Sequence, residues 1–189
     1  MKKFNGSKYK EKKLIMDSKE MMRTVRRMVH EIIEKSHGIK DLIIIGLQTR
    51  GVYIAEKIAR EIKKTEGRKV STGVLDFSLY RDDLSNLKKH LDIKETKFPF
   101  EIDNKKILIV DDVLFTGRSA RAAIECIMDF GRPKNIKLAV LIDRGHRELP
   151  IQPDFIGKKF VTTLNELIAV QLKETDKKER VVLLEKVKG

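Results

Sequence analysis

"ILIVDDVLFTGRS", residues 107–119, ends an apolar run in two adjacent aspartates, Asp111 and Asp112, and then opens a helix-like stretch on Thr116 and Gly117. The run before the aspartates suits a strand buried on both faces. Neighbouring carboxylates repel, so the folded site must contain groups that compensate for them. Ionised aspartate only accepts hydrogen bonds. That is poor chemistry for gripping phosphate and good chemistry for a polyol, whose hydroxyls donate. Thr116, Gly117 and Ser119 can turn hydroxyls and backbone N–H groups toward a phosphate at the start of the next helix. A loop that accepts from a diol and donates to a phosphate describes a sugar-phosphate site. The plainer alternative is an acidic strand end that binds Mg²⁺ or is merely solvated.

Outward from this stretch the chain repeats strand, turn and helix. Residues 18–38 predict an amphipathic helix, with Met21, Met22, Val25, Met28, Val29, Ile32 and Ile33 at helical spacing. Asp17 or Ser18 can cap its start, and Gly38 can close its end. "DLIIIG" reads as a buried strand, "LQTRG" as a tight turn and "VYIAEKIAREIKK" as a helix. Residues 70–80 predict a further strand, and the polar residues 81–104 a long loop of the kind that often serves as a lid. After the "ILIVDD" strand come a helix over 117–130 ended by "GRP", a strand in "IKLAVLIDR", and short strands near 159–161 and 181–184. This order predicts right-handed βαβ units and a mainly parallel sheet. Ligands in such sheets bind beyond the carboxyl ends of the strands, here loops 46–51, 76–95, 111–119 and 143–150.

Composition narrows the classes. In 189 residues, 41 Lys+Arg face 28 Asp+Glu, a formal net charge of +13, which favours an anionic partner. The single Cys126 excludes an intramolecular disulfide and a cysteine-cluster zinc site. No apolar run approaches the roughly 18 residues of a membrane span, and the basic N-terminus lacks a signal-peptide core, so a cytoplasmic protein is expected. Two familiar phosphate motifs, GxxxxGK[ST] and a GxGxxG in the first βα turn, do not occur. The first turn instead reads Gly46-Leu47-Gln48-Thr49-Arg50-Gly51, with glycines that admit backbone N–H groups to an anion and Arg50 as a cation. On the first helix Arg23, Arg26, Arg27 and His30 form one basic stripe, roughly opposite the apolar face. A solvated face and an anion-binding face both fit that stripe.

"ILIVDDVLFTGRS" resembles the 5-phosphoribosyl-1-pyrophosphate (PRPP) motif of type I phosphoribosyltransferases. "GLQTRGVYIAEKIA", "LYRDDLS", "DFGRP", "LAVLIDRGHRELPI" and "DFIGK" follow in the order of one subfamily, the PyrR family of pyrimidine operon attenuation regulators and uracil phosphoribosyltransferases. The similarity runs from about Lys19 to near the end, and "DRGHRELP" separates this subfamily from hypoxanthine-guanine and orotate enzymes. It implies the type I phosphoribosyltransferase fold, α/β, with a mainly parallel twisted sheet flanked by helices. A small hood over about 143–170 and a flexible lid loop over 81–104 would complete a single domain spanning 1–189.

The resemblance also implies roles. Asp111 and Asp112 would contact the ribose hydroxyls of PRPP, and Val113, Leu114, Phe115, Thr116, Gly117, Arg118 and Ser119 would wrap its 5-phosphate. Leu47, Gln48, Thr49, Arg50 and Gly51 would hold pyrophosphate, and Arg81 would fold over it with Mg²⁺. Asp111, Asp112, Arg50 and Arg81 would carry the catalytic site, with Mg²⁺ bound together with PRPP and no direct protein ligand assigned to it. Uracil and PRPP would give UMP and pyrophosphate. A leader RNA, read in a single-stranded loop, would meet Arg23, Arg26, Arg27, His30, His146, Arg147 and Lys158, promoted by UMP. Phe115 stands where the family more often has tyrosine, and the polar residues of "VTTLNELIAVQL" depart from the family's base-recognition segment. A homodimer or larger assembly is implied. The alternatives are an RNA-binding regulator with little catalysis, and a housekeeping enzyme for another nucleobase.

Overall fold

The computed structural model describes residues 2–4, 7–76 and 100–187. Its central sheet has five parallel strands in the order β4 (Ser71–Leu75), β3 (Leu42–Leu47), β5 (Lys106–Leu114), β6 (Asn135–Asp143) and β7 (Phe155–Lys159). Helices α1 (Ser18–Lys35) and α2 (Arg50–Glu66) cover one face, and α3 (Arg118–Asp129) covers the other. This explains the unbroken apolar runs. Leu42, Ile44, Leu108 and Val110 pack toward α1 and α2, while Ile43, Ile45, Ile107 and Ile109 pack toward α3. Side chains alternate along a strand, so burying both faces requires apolar residues at every position.

Helix α1 starts where Asp17 caps it, its carboxylate accepting from the Glu20 N–H at 2.7 Å. The chain leaves it through His37 (φ 51°) and Gly38 (φ 84°), and the Gly38 N–H bonds back to the Ile33 carbonyl. Met21, Val25, Met28, Val29 and Ile32 are buried, which matches the helical spacing. The helix runs antiparallel to β7: Glu20 meets Lys158 and Arg27 meets the Ile156 and Gly157 carbonyls. Farther along, the Lys35 ammonium lies 5.6 Å from the Phe155 ring centre.

A second, antiparallel sheet joins the two ends of the chain, in the order β1 (Lys2–Phe4), β2 (Ser7–Met16), β9 (Arg180–Lys186) and β8 (Glu166–Gln171). Ile15, Met16, Ile168, Val170, Leu172, Val181 and Leu183 enter the same buried cluster as α1, α2 and the central strands. Of the residues expected to form the hood, about 143–170, only 166–170, in β8, join this sheet; the rest of it comes from strands at both termini. The basic N-terminal stretch is a strand although its side chains from Lys8 to Leu14 are mostly exposed, so no apolar alternation marks it. The strand expected near 159–161 lies earlier, at Phe155–Lys159, where Phe155 is fully buried. A four-residue helix, α4 (Lys173–Asp176), links β8 to β9. The strand expected to reach residue 80 is described only to Leu75, and most of the lid expectation, with Arg81, lies outside the described residues. Among the described residues no helix is long and apolar enough to cross a membrane.

Candidate functional site

Two loops meet at the carboxyl ends of β3 and β5, and glycine decides how closely. A Cβ on Gly51 would lie 2.4 Å from the Val110 carbonyl oxygen, and one on Gly46 would lie 2.5 Å from the Val52 Cα. Only hydrogen fits at either position, so the turn between β3 and α2 sits against the start of the acidic loop. Leu47 is buried at the strand end, Gln48 and Thr49 are exposed across a cis peptide bond, and Arg50 is half-buried.

Arg50 Nη2 donates to both carboxylate oxygens of Asp176, at 3.3 and 3.2 Å. Among the described residues its Nε is buried without a hydrogen-bond partner, which leaves a donor for an incoming anion. Burial opposes ionisation of Asp176, but hydrogen bonds from Thr175 and the Leu172 N–H, together with the Arg50 charge, hold its carboxyl below the usual range. Two turns of α2 onward and buried, Lys57 pairs with Glu174 at 3.2 Å and Glu179 at 2.9 Å. The segment around α4 thus fixes the helix that follows the first turn. Sequence reasoning missed Asp176, Glu174 and Glu179 because they stand in a polar stretch without periodicity.

Asp111 and Asp112 end the buried part of β5 side by side. The Asp112 N–H donates to the Asp111 carboxylate at 2.8 Å, and the Val113 N–H donates to that of Asp112 at 3.0 Å. Burial pushes the Asp112 carboxyl above its ordinary value. A hydrogen bond with Asp111, the Arg50 charge and those backbone N–H groups oppose the rise without cancelling it. The pair is therefore compensated in part by Arg50 and by the backbone, and it retains acceptor capacity for donors from a ligand.

Beyond it the chain bends through Phe115, Thr116 and Gly117 into α3. Gly117 has φ 94° at the helix N-cap, a left-handed conformation that glycine adopts without strain. Arg118 N–H donates to Thr116 Oγ1 at 3.4 Å, and Arg118 itself is exposed and paired with Glu148 at 2.7 Å. Val113, Phe115, Thr116 and Ser119 are half-buried and Leu114 is buried. Across from this loop, Arg144 is buried beneath the hood, with its guanidinium 3.9 Å from the Phe115 ring centre and Nε donating to Thr162 at 3.0 Å. An aromatic ring at 115 provides the stacking surface, which phenylalanine supplies as tyrosine would. The "DRG" motif could have pointed to Arg144, but its burial is a tertiary fact.

The basic stripe of α1 divides. Arg23 and His30 are exposed, and Arg27 leans to β7, with Nη2 donating to the Ile156 carbonyl at 2.9 Å and also to Gly157. Lys158 adjoins them, 2.9 Å from Glu20. Arg26 turns instead to α2 and pairs with the buried Glu61 at 3.1 Å. His146 is exposed with φ 59° and its ring contacts the Thr162 carbonyl. Arg147 points inward, only 13% exposed. Lys137, which the stripe did not include, reaches Phe155 from the same side as Lys35, also at 5.6 Å. Among the described residues, no three His, Cys, Asp or Glu groups gather as a metal site.

Comparisons with known proteins agree with this arrangement. The phosphoribosyl transferase domain model matches residues 13–177. The bifunctional protein PyrR of Caldicellulosiruptor bescii is 52% identical over 176 residues, covering 93% of this chain and 95% of that protein. The bifunctional protein PyrR of Thermus aquaticus is 49% identical over 172 residues, covering 91% and 95%. Among solved structures, the hypoxanthine phosphoribosyltransferase of Trypanosoma cruzi superposes with a TM-score of 0.70 at 15% identity, covering 94% of this chain and 98% of that one. At that identity the likeness shows the fold alone.

Two outcomes follow from the site's packing and charge. Gly51→Ala forces the first turn off β5 and should lower the unfolding free energy by about 1–3 kcal/mol; an unchanged urea midpoint would show that the turn can yield. Asp112 has its carboxyl raised on folding, so the fold retains a proton there that the unfolded chain releases at lower pH. Stability then falls as pH rises through the ordinary carboxylate range, and the deficit persists above it. Asp112→Asn should therefore raise the melting temperature of the ligand-free protein at about pH 7, and the gain should vanish near about pH 3, below that range. A gain independent of pH would contradict this origin.

Proposed function

Since the chain belongs to the phosphoribosyltransferase family and, within it, to the PyrR proteins, we propose that one fold performs two linked tasks. It is a regulator of pyrimidine genes and a uracil phosphoribosyltransferase that converts uracil and PRPP to UMP and pyrophosphate. The observation that carries the enzymatic site is the convergence, at one end of the sheet, of the Asp111–Asp112 pair, the Gly117 helix start and Arg50.

In this reading the ribose 2- and 3-hydroxyls donate to Asp111 and Asp112, and the phosphate lies against the N–H groups of 113–119. Arg50 and the backbone of 47–51 receive the pyrophosphate, joined by Arg81 from the lid. Loss of pyrophosphate from C1 leaves an oxocarbenium-like sugar, and N1 of uracil bonds to that carbon and gives up its proton. No protein nucleophile is required, so the residues contribute position and charge stabilisation. A closed lid would keep water from hydrolysing PRPP. Mg²⁺ would neutralise charge on the departing pyrophosphate. The donor set fits such an ion, which keeps water and phosphate ligands and needs at most one or two carboxylates from the protein; among the described residues Asp111 and Asp112 could supply them.

The regulatory surface we assign to Arg23, Arg27, His30 and Lys158, along the seam of α1 and β7, with His146 at its end. A leader RNA would lay phosphates along these cations and present unpaired bases, since side chains cannot read the deep groove of an RNA duplex. Arg26, paired with Glu61, and the inward Arg147 are less suited to that contact. The exposed Met128 and Phe130 at the end of α3 support self-association into a dimer or larger assembly.

Asp112→Asn is expected to cripple turnover mainly through PRPP, raising its KM at least about tenfold by removing a charged acceptor; unchanged PRPP saturation would remove Asp112 from the ribose site. Leader RNA affinity should fall steeply with salt, with log K against log[salt] sloping about −0.7 for each phosphate neutralised, so about −2 for Arg23, Arg27 and Lys158. Titrations at several salt concentrations, with and without UMP, measure this slope, and a flat response would exclude the basic seam as the RNA site.

A further inference from the structure

Arg147 stands beside the exposed His146 in the sequence, yet its guanidinium is spent inside the protein. Nε donates to the Ile151 carbonyl at 3.0 Å, and Nη1 donates to the carbonyls of Phe115 at 2.9 Å and Gly145 at 3.3 Å. Nη2 donates to the Asp143 carboxylate at 2.7 Å. Guanidinium has five N–H donors, and these contacts leave little to offer an RNA phosphate.

The Phe115 carbonyl is one of three consecutive carbonyls of the 113–119 loop held from the same side. Leu114 accepts from the Arg144 N–H at 3.1 Å, and Thr116 accepts from the N–H groups of Glu148 at 2.9 Å and Leu149 at 3.2 Å. In a trans peptide the carbonyl and the following N–H point in opposite directions. Drawing the carbonyls of 114, 115 and 116 toward 144–149 therefore aims the N–H groups of Phe115, Thr116 and Gly117 the other way. Successive N–H groups facing one side form an anion-binding concavity. Leu114 and Thr116 are held by backbone of the 144–149 segment, whereas Arg147 holds the central carbonyl with a side chain.

We propose that Arg147 is a positioning residue. It holds the Phe115 carbonyl so that the loop keeps its N–H groups on the phosphate of PRPP and UMP, and it ties that loop to the segment bearing His146. Its effect on RNA then passes through the nucleotide site, not through a direct contact. The inference rests on reading 113–119 as the loop for the 5-phosphate.

The test uses the full chain carrying Arg147→Lys or Arg147→Gln. Titration calorimetry with UMP and no RNA should show affinity reduced about tenfold or more, the effect of losing a hydrogen bond from a charged donor. The KM for PRPP should rise comparably, while the KM for uracil at saturating PRPP stays within about threefold, because Arg147 is argued to act on the phosphate loop. RNA affinity without nucleotide should be nearly unchanged, and its enhancement by UMP should shrink. Unchanged UMP affinity together with weaker nucleotide-free RNA binding would overturn the inference and return Arg147 to the RNA face. Should both variants unfold, Asp143→Asn loosens the same guanidinium and should weaken UMP binding in the same direction; intact UMP affinity there would also overturn the inference. A wild-type protein that binds neither UMP nor PRPP would instead defeat the phosphate-loop reading itself, and the inference with it.

Discussion

Parallel pairing of β3, β5 and β6 sets Gly46, Val110 and Ala139 in one row across the sheet. The chemistry depends on that row, because β3 ends one residue past it while β5 and β6 stay paired as far as Leu114 and Asp143. The first turn leaves β3 one residue past it, and Asp111 and Asp112 stand directly beyond it on β5. Gly51 then lets the start of α2 touch β5 with no side chain between them. Two loops far apart in sequence thereby become one concave surface at the carboxyl edge, where parallel α/β sheets place their ligands.

Within that surface charge is balanced imperfectly. Desolvation raises the Asp112 carboxyl above its ordinary value, and Arg50 offsets this only in part. Arg50 is itself shared with Asp176, which keeps a guanidinium in place while leaving a buried donor unused. Such incomplete satisfaction destabilises the ligand-free fold, and it is the condition for binding a diol and an anion strongly. In the proposed reading, ligand hydroxyls and oxygens would supply the missing partners.

The same sheet explains how a nucleotide site and a basic surface can communicate. Segment 144–149 follows β6, holds the loop carbonyls of 114–116 and ends beside the hood, where Arg144 stacks on Phe115 and His146 meets Thr162. Helix α1 lies along β7, the next strand, with Arg27 and Lys158 on their seam. One short segment therefore touches both the 114–116 carbonyls and the edge of the cationic face. If RNA and nucleotide bind as proposed, any effect of one on the other's affinity must be reciprocal.

Residues 107–119 alone determined a strand, a carboxylate pair and a phosphate-ready helix start, because each depends on local periodicity, side-chain chemistry and a glycine. Helix α1 and the central strands were legible for the same reason, and the family motifs extended that reading over most of the chain. Only the tertiary structure decided which residues are shared between elements. Strand β2 carries no alternation because most of its side chains face solvent, and it exists by pairing with β9. Arg26 and Arg147 look like neighbours of RNA in a linear reading, yet Glu61 and the Phe115 carbonyl draw them elsewhere. Asp176 is anonymous until Arg50 reaches it. Periodicity is written along the chain, whereas a charge's partner is chosen across it. The sequence could therefore name the two aspartates, but only the fold could show what compensates them.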